Sequence, residues 1–339
     1  MNGKGNKLKH SNFTIVSGRT NRPLVEGIGR YVGVEPVFFD TKPWGNGYPR
    51  CVRPSGITFK GKQVFIITSL QYRGVGSPVE ELKQIYNSCS NADEIYIILS
   101  WFCTKDDIDH SDGHDPNAVT IAREIASLKP KSIYCFDLHQ SSHLGFFAGC
   151  YRRRFYLLSL LIEKALEIGV DQVSAADWGS SNRARKVRKI MGETKPELLK
   201  IPIVLASKEH DHSVENSLDA QSLSGDVVGN IIGIFDDMAL TLGTIKGACQ
   251  SLRGKTNKKI YAFASHFDPA PEVTLANLTE AFNNDWLTAL VTTNSNPISE
   301  EFLKFGPDKF KVVDASSYFG DLITSVVNDE PSSPYFRDY

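Results

Sequence analysis

In GIFDDMALTLGT (233–244) an apolar run ends in two adjacent acids, Asp236 and Asp237. A short loop with Thr241, Gly243 and Thr244 then opens a helical stretch. Acids at a strand tip can accept hydrogen bonds from ribose hydroxyls, directly or through water on a magnesium ion. Loop hydroxyls and backbone amides at a helix N-terminus can bind a phosphate. The plainer alternative is a helix cap beside two solvated acids. Acids directly behind an apolar strand are costly without partners, which favours the ligand-binding reading.

Four other places carry chemistry. Asp137 and His139 close KSIYCFDLH (131–139). Side chains on a strand repeat with period two, so the pair is expected on one face, as a hard-cation and phosphate site or as a core histidine at a strand end. Trp44, between Pro43 and Gly45 with Gly47 beyond, is either a stacking platform for a base or a packed loop aromatic. Lys208 follows the strand-like IPIVLAS (201–207) and has the ordinary alternative of a solvated loop lysine. The run SWFCTKDDIDHSDGHD (100–115) holds Asp109, His110, Asp112, His114 and Asp115, a cation site or a solvated acidic loop.

The elements that would position these residues alternate in type. The strand-like runs 13–18, 61–70, 93–101 and 131–139 are separated by amphipathic stretches, the rhythm of a parallel sheet with helices on both faces. The pattern then restarts. Residues 152–169 read as helix, 171–179 as a strand end entering the helix NRARKVRKIMG, and 201–207, 229–238, 258–266, 286–295 and 310–317 as strands. The expected fold is α/β, with two tandem doubly wound parallel-sheet domains over 1–149 and 150–339, the last helix packing back on the first. Ligands in such sheets sit at the carboxyl ends of strands. That selects Ser17-Gly18, the Trp101 loop, Asp137–His139, Asp177, Lys208, Asp236-Asp237 and His266.

These segments, in this order, resemble the ribose-phosphate pyrophosphokinases. Residues 233–244 are also similar to the phosphate loop of type I phosphoribosyltransferases, whose fold the resemblance implies for both domains. FDLHQSSHLGFF (136–147) resembles the family's Asp-Leu-His stretch followed by Gly-Phe-Phe, and AADWGSSNRARKVRKIMG (175–192) its Asp-Ala-Gly-Gly stretch. WGNGYPRCVR (44–53) resembles Phe-Pro-Asn-Gly-Glu, SGRTN (17–21) resembles Ser-Gly-x-x-Asn, and VTTNSNP (291–297) resembles Val-Thr-Asp-Thr-x-Pro. The resemblance implies an Mg-ATP-dependent transfer of diphosphate to a ribose 5-phosphate-like acceptor. It implies ATP on Trp44, Asn46 and His139, metal contacts from Asp137, His139 and Asp177, and catalytic roles for Lys208 and His139. Ribose and phosphate would lie on Asp236, Asp237, Thr241, Gly243 and Thr244. It further implies a homo-oligomer, dimer or hexamer.

The chain departs from the family in three places. SWFCTKDDIDHSDGHD replaces an arginine-bearing ATP loop. Leu240 and Leu242 replace an acid and a glycine of the phosphate loop, and Tyr48 replaces a glutamate. His210 also stands where the family has an arginine after the lysine. Two readings follow: a catalytically inactive regulatory homologue, or an enzyme whose reshaped 5′ pocket takes ADP-ribose to make ADP-ribose pyrophosphate for rebuilding NAD. An ordinary phosphoribosyltransferase would not need two such domains. The 339 residues suffice for two cores, and a net charge of −1 argues against nucleic acid or an anionic membrane as partner. The six cysteines form no CxxC pair, and no apolar stretch reads as a signal peptide or membrane span. A cytoplasmic protein is expected, with Cys89, Cys103 and Cys135 as buried thiols.

Overall fold

A computed structural model of the chain describes residues 12–45, 49–71, 76–102, 117–208 and 221–331. β1 (Phe13–Ser17) leads into α1 (Arg22–Val32), β2 (Val37–Phe38) and a hairpin of β3 (Asp40–Pro43) and β4 (Pro49–Val52). There follow β5 (Gln63–Ser69), α2 (Pro78–Ser88), β6 (Glu94–Trp101), α3 (Asn117–Ser127), β7 (Ser132–Phe136), α4 (His143–Phe146) and β8 (Tyr151–Phe155). Next come α5 (Leu158–Ile168), β9 (Gln172–Ala175), α6 (Ser181–Thr194), β10 (Val204–Lys208), β11 (Gln221–Ser224), β12 (Ile231–Ala239) and α7 (Gly243–Arg253). The chain ends with β13 (Lys259–Phe267), α8 (Pro271–Asn283), β14 (Ala289–Thr293), α9 (Glu300–Leu303), β15 (Phe310–Val313) and α10 (Ser316–Val327). Two compact units result. The first runs to Tyr156 and takes in Ser295–Pro297 and the stretch from Asp314. The second holds Leu157–Asn294 and Ile298–Val313.

The first unit has a parallel sheet in the order β2-β1-β5-β6-β7-β8. Alternation along the strands supplies two apolar faces. Val16, Ile66, Ile97 and Ile133 pack in one core with Leu82 and Ile85 of α2 and Ala122 and Ile125 of α3. The opposite face is aromatic. Phe65 stacks on Tyr96 with ring centroids 4.7 Å apart, and Phe136 packs on Phe319 of α10 at 4.2 Å. α1 starts with Pro23 in its first turn and stops at Gly33, whose φ of 74° suits a residue without Cβ. α1 and α10 approach closely: a Cβ on Gly27 would meet the Ser316 Cβ at 2.9 Å.

The second unit has the order β11-β10-β9-β12-β13-β14-β15, parallel except for the antiparallel edge strand β11. Ile232, Ile234, Ile260 and Leu290 form a core with Ile245 and Leu252 of α7 and Leu278 and Phe282 of α8. Each such side chain contributes about 1.5–3 kcal/mol when fully buried.

Two expectations are corrected here. Residues 152–169 are not one helix, because Tyr151–Phe155 extend as the edge strand β8 and the helix starts only at Leu158. An edge strand lets the long side chains of Arg152 to Arg154 reach outward, which a buried helix face would not. The strand carrying the two acids does not end at them; it continues to Ala239 because β13, also nine residues long, pairs with it as far as Phe267. Among the described residues no helix is long and apolar enough to cross a membrane.

Candidate functional site

In the second unit the chain runs from β9 to β10 on one side and then to β12 on the other. β9 and β12 therefore flank the point where the winding reverses, where a crevice opens at the strand ends. Asp177 lies just beyond β9. Its Oδ1 accepts from the Ser180 amide at 2.8 Å and so shapes the turn into α6. Asp236 and Asp237 lie near the end of β12, and Lys208 is the last residue of β10. The fold thus brings Asp177, Lys208, Asp236 and Asp237 to the carboxyl end of one sheet. His266, buried at the end of β13, stands opposite Met238.

Asp236 is half-buried. Asp237 is buried, and its Oδ2 lies 3.5 Å from Arg183 Nη2 in the first turn of α6. The Asp237 amide donates to Asp236 Oδ1 at 2.9 Å. Burial, and then the adjacent Asp237, push the Asp236 carboxyl well above the usual carboxylate range, while Arg183 acts in the other direction. Sequence reasoning passed over Arg183, although it left a signal. A cation in the first turn of a helix opposes the helix dipole and calls for a nearby anion.

The loop after β12 turns into α7 through Leu242, at φ 63° and ψ 10°. A side chain in this left-handed region is strained, and glycine is the usual occupant. The leucine side chain is buried in the core formed with α7 and α8, whereas Leu240 is only half-buried. Thr241 is exposed, its Oγ1 accepting from the Gly243 amide at 3.4 Å, and Thr244 lies in the first turn of α7. Two residues of α8 that the sequence did not single out hold this loop. The Thr274 hydroxyl donates to the Leu240 carbonyl, and Asn277 Nδ2 donates to the Thr241 carbonyl at 2.7 Å.

In the first unit Asp137 and His139 do not share a strand face. β7 ends at Phe136, Asp137 is buried at φ 39°, and His139 is exposed. The expected period-two alignment therefore does not apply past Phe136. Among the described residues no three or more His, Cys, Asp or Glu side chains gather as a metal cluster. Trp44 is 54% exposed at the end of β3, and the Arg50 guanidinium lies 4.1 Å from its ring centroid, a cation–π contact on one face. Asn46, Tyr48, Cys103, the Asp109–Asp115 run and His210 lie outside the described residues, and Lys208 is placed only as the end of its strand. Burial pushes the Cys89 thiol up to about 12 and raises that of Cys135, as expected for inert core thiols.

The reversal point of the first sheet, between β1 and β5, is filled by the chain itself. Asn21 Nδ2 donates to the Ser295 carbonyl at 2.9 Å, and Ser69 Oγ donates to Asn296 Oδ1 at 2.5 Å. All four residues are buried.

A family described as the phosphoribosyl synthetase-associated domain matches residues 191–337. A ribose-phosphate pyrophosphokinase of Prochlorococcus marinus subsp. pastoris is 26% identical over 341 residues, covering 97% of this chain and 95% of that one. One from Staphylococcus epidermidis is 25% identical over 338 residues, covering 98% and 99%. The chain is thus similar over nearly its whole length to ribose-phosphate pyrophosphokinases. A solved phosphoribosylpyrophosphate synthetase from Mycobacterium smegmatis matches the fold with a TM-score of 0.79, 21% identity and coverage of 94% of this chain and 100% of that one. The doubly wound α/β architecture expected from the sequence is thus that of this solved structure.

Proposed function

We propose that this protein is a diphosphokinase that moves the β,γ-diphosphate of ATP onto the anomeric hydroxyl of a ribose carrying a 5′-phosphoryl group. One observation carries the reading: the acids Asp236 and Asp237 adjoin the Leu242-Gly243 turn that opens α7, so ribose hydroxyls and a phosphate have neighbouring partners on one strand and loop. Asp237, 3.5 Å from the Arg183 guanidinium, accepts from one ribose hydroxyl. Asp236, with its raised affinity for a proton, can donate as well as accept. The loop hydroxyls of Thr241 and Thr244 and the first amides of α7 take the 5′-phosphate.

In the reaction the anomeric oxygen bonds to the β-phosphorus as the bond from that phosphorus to the α,β-bridging oxygen breaks, and AMP leaves. Catalysis of this kind rests on positioning and charge rather than covalent chemistry. Lys208 at the end of β10 offsets charge on the transferred group. Trp44, Asn46 and His139 are assigned to ATP by likeness to those relatives. The donor set suits magnesium, which keeps water and substrate phosphates as ligands and needs only one or two protein side chains. By likeness to those relatives, Asp137 and His139 are the candidate residues of the first unit to hold it and Asp177 that of the second; it would supply charge neutralisation on the phosphoryl oxygens.

The acceptor is ribose 5-phosphate or ADP-ribose. Leu240 favours the larger one: an apolar, half-buried side chain where the family carries an acid offers no repulsion to a second phosphate and an apolar edge to a nucleoside. The test is AMP release from Mg-ATP with each acceptor separately, the products identified by phosphorus NMR. AMP with ribose 5-phosphate identifies a phosphoribosyl pyrophosphate synthase, and AMP with ADP-ribose alone identifies the larger acceptor. No AMP with either, from folded protein, rejects the enzyme in favour of a regulatory homologue, as the altered ATP loop would then suggest.

A further inference from the structure

The phosphate loop is held from behind. The Leu240 carbonyl is taken by the buried Thr274 hydroxyl and the Thr241 carbonyl by Asn277, three residues apart on α8 and so on one helix face. A trans peptide is planar, with its carbonyl and N–H pointing in opposite directions. Fixing these two carbonyls toward α8 therefore turns the amides of Thr241 and Leu242 away from it. The Leu242 carbonyl accepts from the Lys246 amide at 2.8 Å, which by the same geometry turns the Gly243 amide outward from the helix end. Leu242 is left-handed and Gly243 is helical, and successive residues of opposite hand make their amides converge on a concave anion site.

We propose that Thr274 and Asn277 are positioning residues, which set the amides of Thr241 and Leu242 for the acceptor's 5′-phosphate. The proposal rests on the site reading above and deepens it. The side chains touch no substrate; they act through the peptide planes they hold. Asn277 is only half-buried, so its replacement leaves the core intact.

The experiment uses the full chain and the variants Asn277→Ala, Thr274→Val and Thr274→Ser. AMP release is followed while ribose 5-phosphate or ADP-ribose is varied at saturating Mg-ATP, and each acceptor is also titrated by calorimetry without ATP. Loss of one anchoring hydrogen bond should raise the acceptor KM and Kd by roughly five- to tenfold in Asn277→Ala and Thr274→Val. kcat and the KM for ATP should stay within about twofold, since uniform binding alone is lost. Thr274→Ser, which keeps the hydroxyl, should behave as wild type. An unchanged acceptor KM and Kd in Asn277→Ala overturns the proposal, as does an equal fall in kcat for both substrates. If the wild-type chain releases no AMP, the diphosphokinase reading fails while calorimetry still decides this one. Binding that weakens in Asn277→Ala upholds it, and no binding of either acceptor by wild type overturns it.

Discussion

Asp237 and Arg183 are the residue pair on which the site turns. Replacing Arg183 with Gln leaves a buried carboxylate without its cation. We expect a loss of about 1–3 kcal/mol, below the full cost of breaking a buried pair because Arg183 is partly exposed. Asp237→Asn should lower kcat/KM about 10–100-fold by removing a charge-assisted hydrogen bond; steady-state assays and denaturant melts measure both. Asp236 makes a different prediction. Its folded-state pKa is raised, so its contribution to stability is complete below the ordinary aspartate range and is lost as pH rises through the raised value. Asp236→Asn should therefore melt above wild type at neutral pH, and the gap should close as the buffer is acidified. An equal gap at every pH would refute this. Leu242→Gly relieves about 1–2 kcal/mol of left-handed strain but removes a buried side chain and loosens the unfolded chain. Thermal melts should show net destabilisation of about 1–3 kcal/mol. That Asp177, Lys208, Asp236 and Asp237 gather at one sheet end was readable from the sequence, because the residues that close parallel strands come together there. Arg183, Thr274 and Asn277 were not, because each gains its meaning from a partner more than thirty residues away.

At the scale of elements, the alternating rhythm sufficed for most strands and helices, since period two and period 3.6 are set by which faces are buried. It failed where a segment's state depends on a neighbour. β8 reads as the start of a helix because Arg152 to Arg154 run into an amphipathic stretch, and only pairing with β7 extends it. β11 carries no strong pattern and is fixed by its antiparallel partner β10. Asp137 and His139 were set on one face by a period that holds only while a strand lasts. The contact between α1 and α10 is likewise tertiary. Gly27→Ala would improve helix propensity by about 1 kcal/mol, yet its methyl would press on Ser316 at the start of α10. Overpacking of this kind costs about 1–3 kcal/mol, so the variant should be less stable in urea melts. A more stable variant would mean that the first turn of α10 yields easily.

For the whole molecule, the first unit is not a continuous piece of sequence. It needs Ser295–Pro297 at its strand ends and α10 against its aromatic face. A fragment of residues 1–156 should therefore fail to fold cooperatively, with dye binding to exposed apolar surface and no sharp thermal transition; a sharp transition would refute this. The sequence hinted at the return of the last helix but gave no sign of the 295–297 insertion, a matter of two hydrogen bonds rather than of pattern. The same discontinuity bears on synthesis. Ribosomes add about 5–20 residues per second, so the aromatic face formed by Phe65, Tyr96, Tyr134 and Phe136 waits on the order of 10–30 s for the segment that seals it. A nascent chain that carries an unsealed sheet for so long is a natural client for chaperones, and its yield should depend on translation speed near the C-terminus more than on codons at the start.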